Sequence, residues 1–142
     1  MDEIALMREI GRLQEQINAL RTIQAGWSPV FLEAPLTSTS WDGDDSKVAG
    51  TYTIDTSSVF SAPVGIKAVS IIIRARWAAT AGSFLYAAPV GSSNYSTIMR
   101  PFSTAQDTEC NGIVPCDSNG DFDVVIGNNI TRALIKIHGY WI

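Results

Sequence analysis

Leucine and isoleucine recur near the start of the chain at alternating steps of four and three residues. The positions are Leu6, Ile10, Leu13, Ile17 and Leu20. This heptad spacing places one narrow apolar stripe along a helix, which is the seam of a coiled coil. A single helix of about 20 residues is only marginally stable in water unless such a stripe is buried. We therefore predict that residues 1–25 form an oligomerising coiled-coil helix.

The number of helices in the coiled coil and the surface that buries the stripe each have more than one interpretation. With Ile10 and Ile17 at the a positions and leucine at the d positions, the local packing rule favours two strands over three. An amphipathic helix that folds back onto its own domain carries a similar stripe. The short distance from the stripe to Trp27 and Pro29 keeps this second arrangement open.

From Ser28 onward the hydrophobic period changes to two. Between Ala68 and Trp77, a set of apolar residues alternates with a set that contains two arginines, which is typical of a strand with one buried face. The same pattern predicts eight strands, separated by turns rich in Gly, Pro, Asp and Asn. They lie near residues 30–36, 48–54, 68–77, 84–88, 96–99, 111–114, 122–126 and 133–141. We predict a mainly β fold, in which residues 26–142 form an antiparallel, jelly-roll-like β-sandwich.

Composition narrows the choice of partners. Of 142 residues, 46% are hydrophobic and 17% are charged, which is enough for one buried core. The net charge is -4 and the ten basic residues are scattered, so we expect no binding to nucleic acid. Apolar runs fall far short of the ~20 residues that span a bilayer, and the first residues are acidic where a secretory signal is basic. We expect synthesis in a cytoplasm and no membrane partner.

A helical stalk followed by a compact sandwich makes a knob on a stem, and several identical knobs convert weak binding into avidity. Four stretches add a resemblance to a family: IDTSSVF at 54–60, APVGIKAV at 62–69, GDFDVVI at 120–126 and the closing LIKIHGYW at 134–141. Together they resemble the β-sandwich modules of tailed-bacteriophage virion proteins, over about residues 50–142. These are strand and turn signatures, and no catalytic motif is among them.

The resemblance implies a homotrimeric structural protein of a phage particle, made in the host cytoplasm and located in the virion. The expected form is a fibre or tip that contacts the host cell surface, with other virion proteins bound through its N-terminal segment. A capsid decoration or cement protein that stabilises the phage head is the alternative, and a polysaccharide-degrading tip enzyme is a further one. A trimer departs from the two-strand preference of the seam, so a dimer stays open as well.

Catalytic chemistry has little support in the sequence. His138 is the only histidine and would have to serve as the base for any serine or cysteine nucleophile, but no nucleophile turn is recognisable. Carboxylate pairs for glycoside cleavage would have to come from the aspartates at positions 42, 44, 45, 117, 121 and 123, whose separations the sequence does not give. We expect a protein that is not an enzyme.

Calcium binding is the cofactor chemistry that comes nearest to a motif. Asp117, Asn119 and Asp121 match the first three ligand positions of a calcium loop, but Phe122 and Asn128 stand where glycine and glutamate are required. The acidic turn at residues 42–45 offers oxygen ligands but is an ordinary solvated turn. We therefore expect neither a metal ion nor another cofactor.

Two further groups of residues remain open. Cys110 and Cys116 are expected to be reduced if the chain stays in a cytoplasm, and a disulfide between them stays open until their separation is known. Trp41, Tyr86 and Tyr95 are aromatic residues with polar neighbours, a combination that stacks on sugar rings. They are the candidate contacts for a host surface glycan, although Trp41 and Tyr86 also suit a core or a subunit interface.

Overall fold

The computed structural model describes the backbone of residues 2–142 and the side chains of residues 2–18 and 27–142. A long helix comes first and eight strands follow, with two short helical segments among them. The elements are α1 (Glu3–Gly26), β1 (Pro29–Leu36), a 3-10 turn (Thr39–Trp41), β2 (Gly50–Asp55), α2 (Thr56–Phe60), β3 (Ala68–Trp77), β4 (Phe84–Pro89), β5 (Thr97–Met99), β6 (Thr108–Pro115), β7 (Asp121–Gly127) and β8 (Ile130–Trp141).

Helix α1 begins with a side-chain cap. The Ala5 N–H donates to Oδ1 of Asp2 at 2.7 Å, which satisfies one of the free amides at the start of the helix. Every side chain from residue 2 to residue 18 is exposed, so this part of the helix does not pack on the sandwich of its own chain. The alternative in which the apolar stripe completes its own domain is therefore wrong for the described residues.

The eight strands form two four-stranded antiparallel sheets. The first sheet has the order β1-β8-β3-β6 and the second has the order β2-β7-β4-β5. In the first sheet, β3 is paired on both sides, so Ile73 lies between Ile135 of β8 and Cys110 of β6. The two inner faces pack on each other as a β-sandwich. Its largest fully buried side chains are Trp77, Phe60, Phe122, Ile66, Ile71, Ile73, Leu85, Ile130, Ile135, Ile137, Val69 and Val114.

Strand β3 shows how the sequence pattern becomes a buried face. Val69, Ile71, Ile73, Ala75 and Trp77 are all buried. The residues between them face outward and are partly or fully exposed, including the two arginines. The prediction of this strand is confirmed at both ends, and the other seven strands lie within a few residues of their predicted positions.

Helix α2 was not predicted from the sequence. Its five residues follow β2 directly, and Oδ1 of Asp55 caps it by accepting from the backbone N–H of Ser57 and of Ser58. Phe60 at its end is fully buried between the sheets, and Thr56 donates through Oγ1 to the carbonyl of Gly120 at 2.7 Å. This short helix closes the same end of the sandwich to which α1 is attached.

Candidate assembly and binding surfaces

The first candidate site is the apolar stripe of α1. Leu6, Ile10, Leu13 and Ile17 are large apolar side chains that remain about half exposed in the single chain. Leu20 lies in the helix, but its side chain falls outside the described residues. Because exposed aliphatic side chains three and four positions apart share one helix face, the stripe is available to a second helix.

Two apolar residues lie outside that stripe, near the amino end of α1. Ile4 and Met7 are both about two-thirds exposed. A charged pair, Glu9 and Arg12, lies one turn further along, and the hydrogen bond from Arg12 lowers the pKa of the Glu9 carboxyl. The amino end of the helix thus has a second exposed apolar surface beside the seam.

The second candidate site is an aromatic row on the outer face of the second sheet. The rings of Phe84 and Tyr86 are parallel within 9°, with centroids 5.9 Å apart. The ring of Tyr95 lies 5.6 Å from that of Tyr86, tilted by 42°. Tyr95 is 53% exposed and the other two rings are partly exposed. We call these three residues the aromatic row.

A glycine makes room for the start of this row. Phe84 pairs with Gly127 of β7, and a Cβ atom built at Gly127 would lie 2.1 Å from a carbon of the Phe84 ring. The ring therefore lies directly over the bare backbone of β7. The guanidinium carbon of Arg100 lies 5.9 Å from the centroid of the Phe84 ring.

The loop that carries Tyr95 is held to the sheet by a buried carboxylate. Asp123 accepts from the Gly91 N–H at 2.9 Å and from the hydroxyl of Thr53 at 2.7 Å. The loop then returns to β4, where the Ser96 N–H donates to the carbonyl of Ala87 at 2.8 Å. Anchored at both ends, the loop presents Tyr95 beside Tyr86 in a defined position.

The structure corrects the prediction that Trp41 shares a surface with these tyrosines. Trp41 is only 4% exposed and belongs to the core. Its ring packs edge-on against Tyr52 with centroids 5.5 Å apart, and Nζ of Lys47 lies 4.5 Å from its centroid. A buried indole has no free face for a sugar ring, so only Tyr86 and Tyr95 remain of the predicted contacts.

A third surface, absent from the sequence predictions, lies on the outer face of the first sheet where α1 joins the sandwich. It is a groove of about 330 Å³ with an almost wholly apolar lining. Its main lining residues are Phe31, Ser70, Ile113, His138, Gly139 and Trp141. We call it the base groove. No sequence signal identifies it, because its residues come from four strands whose order in the sheet is decided by tertiary pairing.

His138 lies in this groove beside Ser70, which is the one serine of the lining. Its Nε2 atom is buried and has no hydrogen-bond partner within the described residues. A general base must reach the proton of its nucleophile, and no such bond is present here. His138 is therefore a lining residue of the groove without a hydrogen-bonded nucleophile among the described residues.

Two of the carboxylates that were candidates for catalysis or metal binding, Asp117 and Asp123, have local structural roles. Asp117 accepts from the N–H of Asn119 and of Asp121, so its carboxylate closes its own turn. Asp123 is buried and hydrogen-bonded as described above. In the part of the chain that the structure describes, no group of three or more His, Cys, Asp or Glu side chains is arranged to hold a metal ion.

Asp121 differs from Asp117 and Asp123 because burial of its carboxyl is not compensated at one oxygen. Desolvation raises the pKa of its carboxyl, and the charges of Asp117, Asp55 and Asp123 raise it further. Its Oδ1 atom is buried without a hydrogen-bond partner among the described residues. Ionisation of Asp121 therefore opposes folding.

Cys110 and Cys116 are both free and half-buried against the core. Cys110 lies within β6 and Cys116 directly follows it. A strand rises about 3.3 Å per residue, so six residues separate their Cα atoms by roughly 20 Å. Because a disulfide needs about 4.4 to 6.8 Å between Cα atoms, the two residues of one chain cannot be bridged.

Among known proteins, no family model matches this chain, and no curated protein matches it. One solved structure that matches this chain is the carbohydrate-binding module CBM6cm-2 from Cellvibrio mixtus lichenase 5A in complex with cellotriose, with 18% identity, a TM-score of 0.36, and coverage of 76% of this chain and 95% of that chain. Separately, the described residues contain no helix that is both long and apolar enough to cross a bilayer.

Replacing Asp121 with asparagine should stabilise the fold in a pH-dependent way. A carboxyl whose pKa is raised in the folded chain costs stability once the pH rises above its unfolded pKa, and that cost is complete above its folded pKa. Asp121→Asn should therefore raise the thermal midpoint at about pH 7 and leave it nearly unchanged at about pH 3. Asp45→Asn, which removes a charge from an exposed turn, is the control. Equal shifts at both pH values would contradict the assignment.

Reductant should have no effect on the stability of the isolated chain. Burial raises the pKa of Cys116 to about 12, with Asp117 and Asp121 adding to the shift, and burial also raises the pKa of Cys110. Both thiols should therefore react slowly with a thiol reagent in the native protein and rapidly after unfolding. A thermal midpoint that falls on addition of reductant would show that a disulfide is present after all.

Proposed function

We propose that this chain is a structural protein of a tailed-phage virion, and not an enzyme. In this proposal three copies join through α1 to form a short stalk, and their β-sandwiches form a knob that contacts the host cell surface. The observation that carries the proposal is the exposed apolar stripe of α1 next to a sandwich whose core is closed without it. A stripe that its own domain leaves in water favours burial between copies.

The energetics of the stripe support self-association. Full burial of one leucine or isoleucine side chain contributes about 1.5 to 3 kcal/mol. Four described members of the stripe are each about half exposed in the single chain, so joining the helices removes substantial apolar area from water. The coiled coil is shorter than four heptads, and its seam prefers two helices over three. Contacts between the sandwiches are therefore needed to favour a trimer.

The order of the strands supports the jelly-roll part of the proposal. Strands β1, β8, β3 and β6 form one sheet, and β2, β7, β4 and β5 form the other. Eight strands that alternate between two sheets in this way follow the double Greek-key arrangement of jelly rolls, which is used by many viral capsid and lectin domains. The fold is compatible with many functions, so the functional proposal depends on the surfaces.

The apolar stripe and the amino end of α1 have different roles in this proposal. The stripe faces the other two copies, while Ile4 and Met7 lie outside it and contact other virion proteins. The same helix could anchor a cement protein on a capsid lattice. The aromatic row favours the fibre or tip instead, because an exposed tyrosine pair on the knob suits contact with a cell-surface glycan.

Charged residues in the seam should dissociate the protein. In Ile10→Lys/Ile17→Lys each copy places two ammonium groups at the helix interface, where burial of an unpaired charge is strongly unfavourable. We expect a trimer for the unchanged chain and a monomer for the variant at micromolar concentration, measured by light scattering.

The control for this experiment is Ile4→Lys, the same exchange at an exposed residue outside the seam. It should leave the mass unchanged. A seam variant that keeps the trimer mass would show that α1 does not hold the copies together. A dimer mass for the unchanged chain would contradict the proposed trimer.

Tyr95→Ala should weaken binding to a surface glycan. Loss of one stacked ring lowers the affinity by about fivefold, at roughly 1 kcal/mol for an aromatic contact. The measurement is titration of the unchanged protein and the variant against a panel of bacterial surface polysaccharides, and Phe102→Ala is the control because Phe102 is an exposed ring on a different loop. Equal affinity of all three proteins would exclude the aromatic row as the contact, and release of free oligosaccharide would favour the enzyme alternative.

A further inference from the structure

The outer face of the first sheet is divided into two unlike halves. Far from α1, the face carries ion pairs, with Arg74 bonded to Glu109 at 2.8 Å and Arg76 to Asp107 at 3.0 Å. Near α1 the same face carries the base groove, whose residues come from all four strands. The solvent-facing side of an antiparallel sheet normally carries polar residues along its whole length. The apolar half of this face is therefore the unusual one.

Two large side chains form the walls of the base groove. Phe31 on β1 is 83% exposed and Ile113 on β6 is about half exposed. These strands are the two edges of the sheet, three strand spacings or about 14 Å apart. Between them Ser70 pairs with Gly139, and these small residues form a low floor. The result is a concave apolar surface open to solvent.

The groove lies where the helix enters the sandwich. Ser28 and Ile142 exchange two backbone hydrogen bonds of 2.8 and 3.0 Å, which bind the segment after α1 to the end of β8. Trp27 and Ile142 are both about half exposed at this junction. Apolar surface therefore continues from the helix junction into the groove.

The length of the connection determines what can cover this surface. Helix α1 ends at Gly26 and β1 begins at Pro29, so only two residues lie between them. Two residues span at most about 7 Å, and helices packed through a seam lie about 8 to 10 Å apart. When the seams of several copies join, the bases of their sandwiches are consequently brought side by side.

We infer that the base groove is the contact surface for the sandwich of a second copy of this chain. The inference rests on the proposed assembly through α1 and assigns the additional contacts that a trimer requires. In a cyclic trimer each copy presents one surface to one neighbour and a different surface to the other. The base groove, on the outer face of the first sheet, is one of these two surfaces in the inferred trimer.

The test compares two exposed phenylalanines in the full chain. Phe31→Ser removes a wall of the base groove, while the matched control Phe102→Ser changes a ring that is 97% exposed in the loop between β5 and β6. Sedimentation equilibrium over a range of concentrations gives the midpoint of dissociation for each protein. We expect Phe31→Ser to raise this midpoint by about 10- to 100-fold, as for the loss of one buried phenylalanine, and Phe102→Ser to leave it unchanged.

Ile113→Thr is the second variant, because it keeps a β-branched residue in β6 and alters the opposite wall. It should also raise the midpoint, by about threefold to tenfold. Circular dichroism and the thermal midpoint of the monomer confirm that each variant is folded.

The outcomes separate this inference from the proposed function. If Ile10→Lys/Ile17→Lys dissociates the protein while Phe31→Ser and Ile113→Thr behave like Phe102→Ser, the helix seam stands and the base groove is not an interface. If the groove variants weaken an assembly that survives the seam variant, the groove is an interface and the stalk proposal is overturned. If no variant changes the mass, both are overturned.

Discussion

The structure depends on the mutual burial of the inner faces of two sheets. Trp77 and Phe122 are fully buried between them, and α2 adds Phe60 at one end. This core is closed between the two sheets without any contribution from the described side chains of α1. The stripe of the helix therefore stays exposed in the single chain, and its burial requires another molecule.

The same closed core leaves the outer surfaces free to differ from one another. One half of the first sheet carries the apolar base groove, and its other half carries ion pairs. The second sheet carries the aromatic row, supported by a bare glycine in β7 and by the buried carboxylate of Asp123. In the proposed assembly, the apolar base groove lies near the helical stalk and the aromatic row lies on the other sheet.

Small residues have a direct role in both proposed contact surfaces. A side chain at Gly127 would collide with the ring of Phe84, and a Cβ atom at Gly139 would lie 2.9 Å from the carbonyl oxygen of Val30. The aromatic row and the floor of the base groove thus both depend on positions where the backbone carries no side chain.

Local periodicity was sufficient for most of the fold. The alternation in β3 predicted its bounds and its buried face, because side chains of a strand point alternately to its two faces. Helix α2 was missed because five residues are too few for a helical period to be visible, and its cap and its contact with Gly120 act across the structure. Of the predicted glycan contacts, Tyr86 and Tyr95 lie together, whereas Trp41 is in the core.

The sequence by itself determined the helix with its apolar stripe and the succession of strands, since both follow from spacing between near neighbours. Only the tertiary structure decided which residues share a surface. Phe31, Ser70, Ile113 and Gly139 come from four strands that are distant in sequence, and they meet in one groove because antiparallel pairing places β8 and β3 between β1 and β6. Strand order depends on the packing of the whole core, so no local pattern could show that groove.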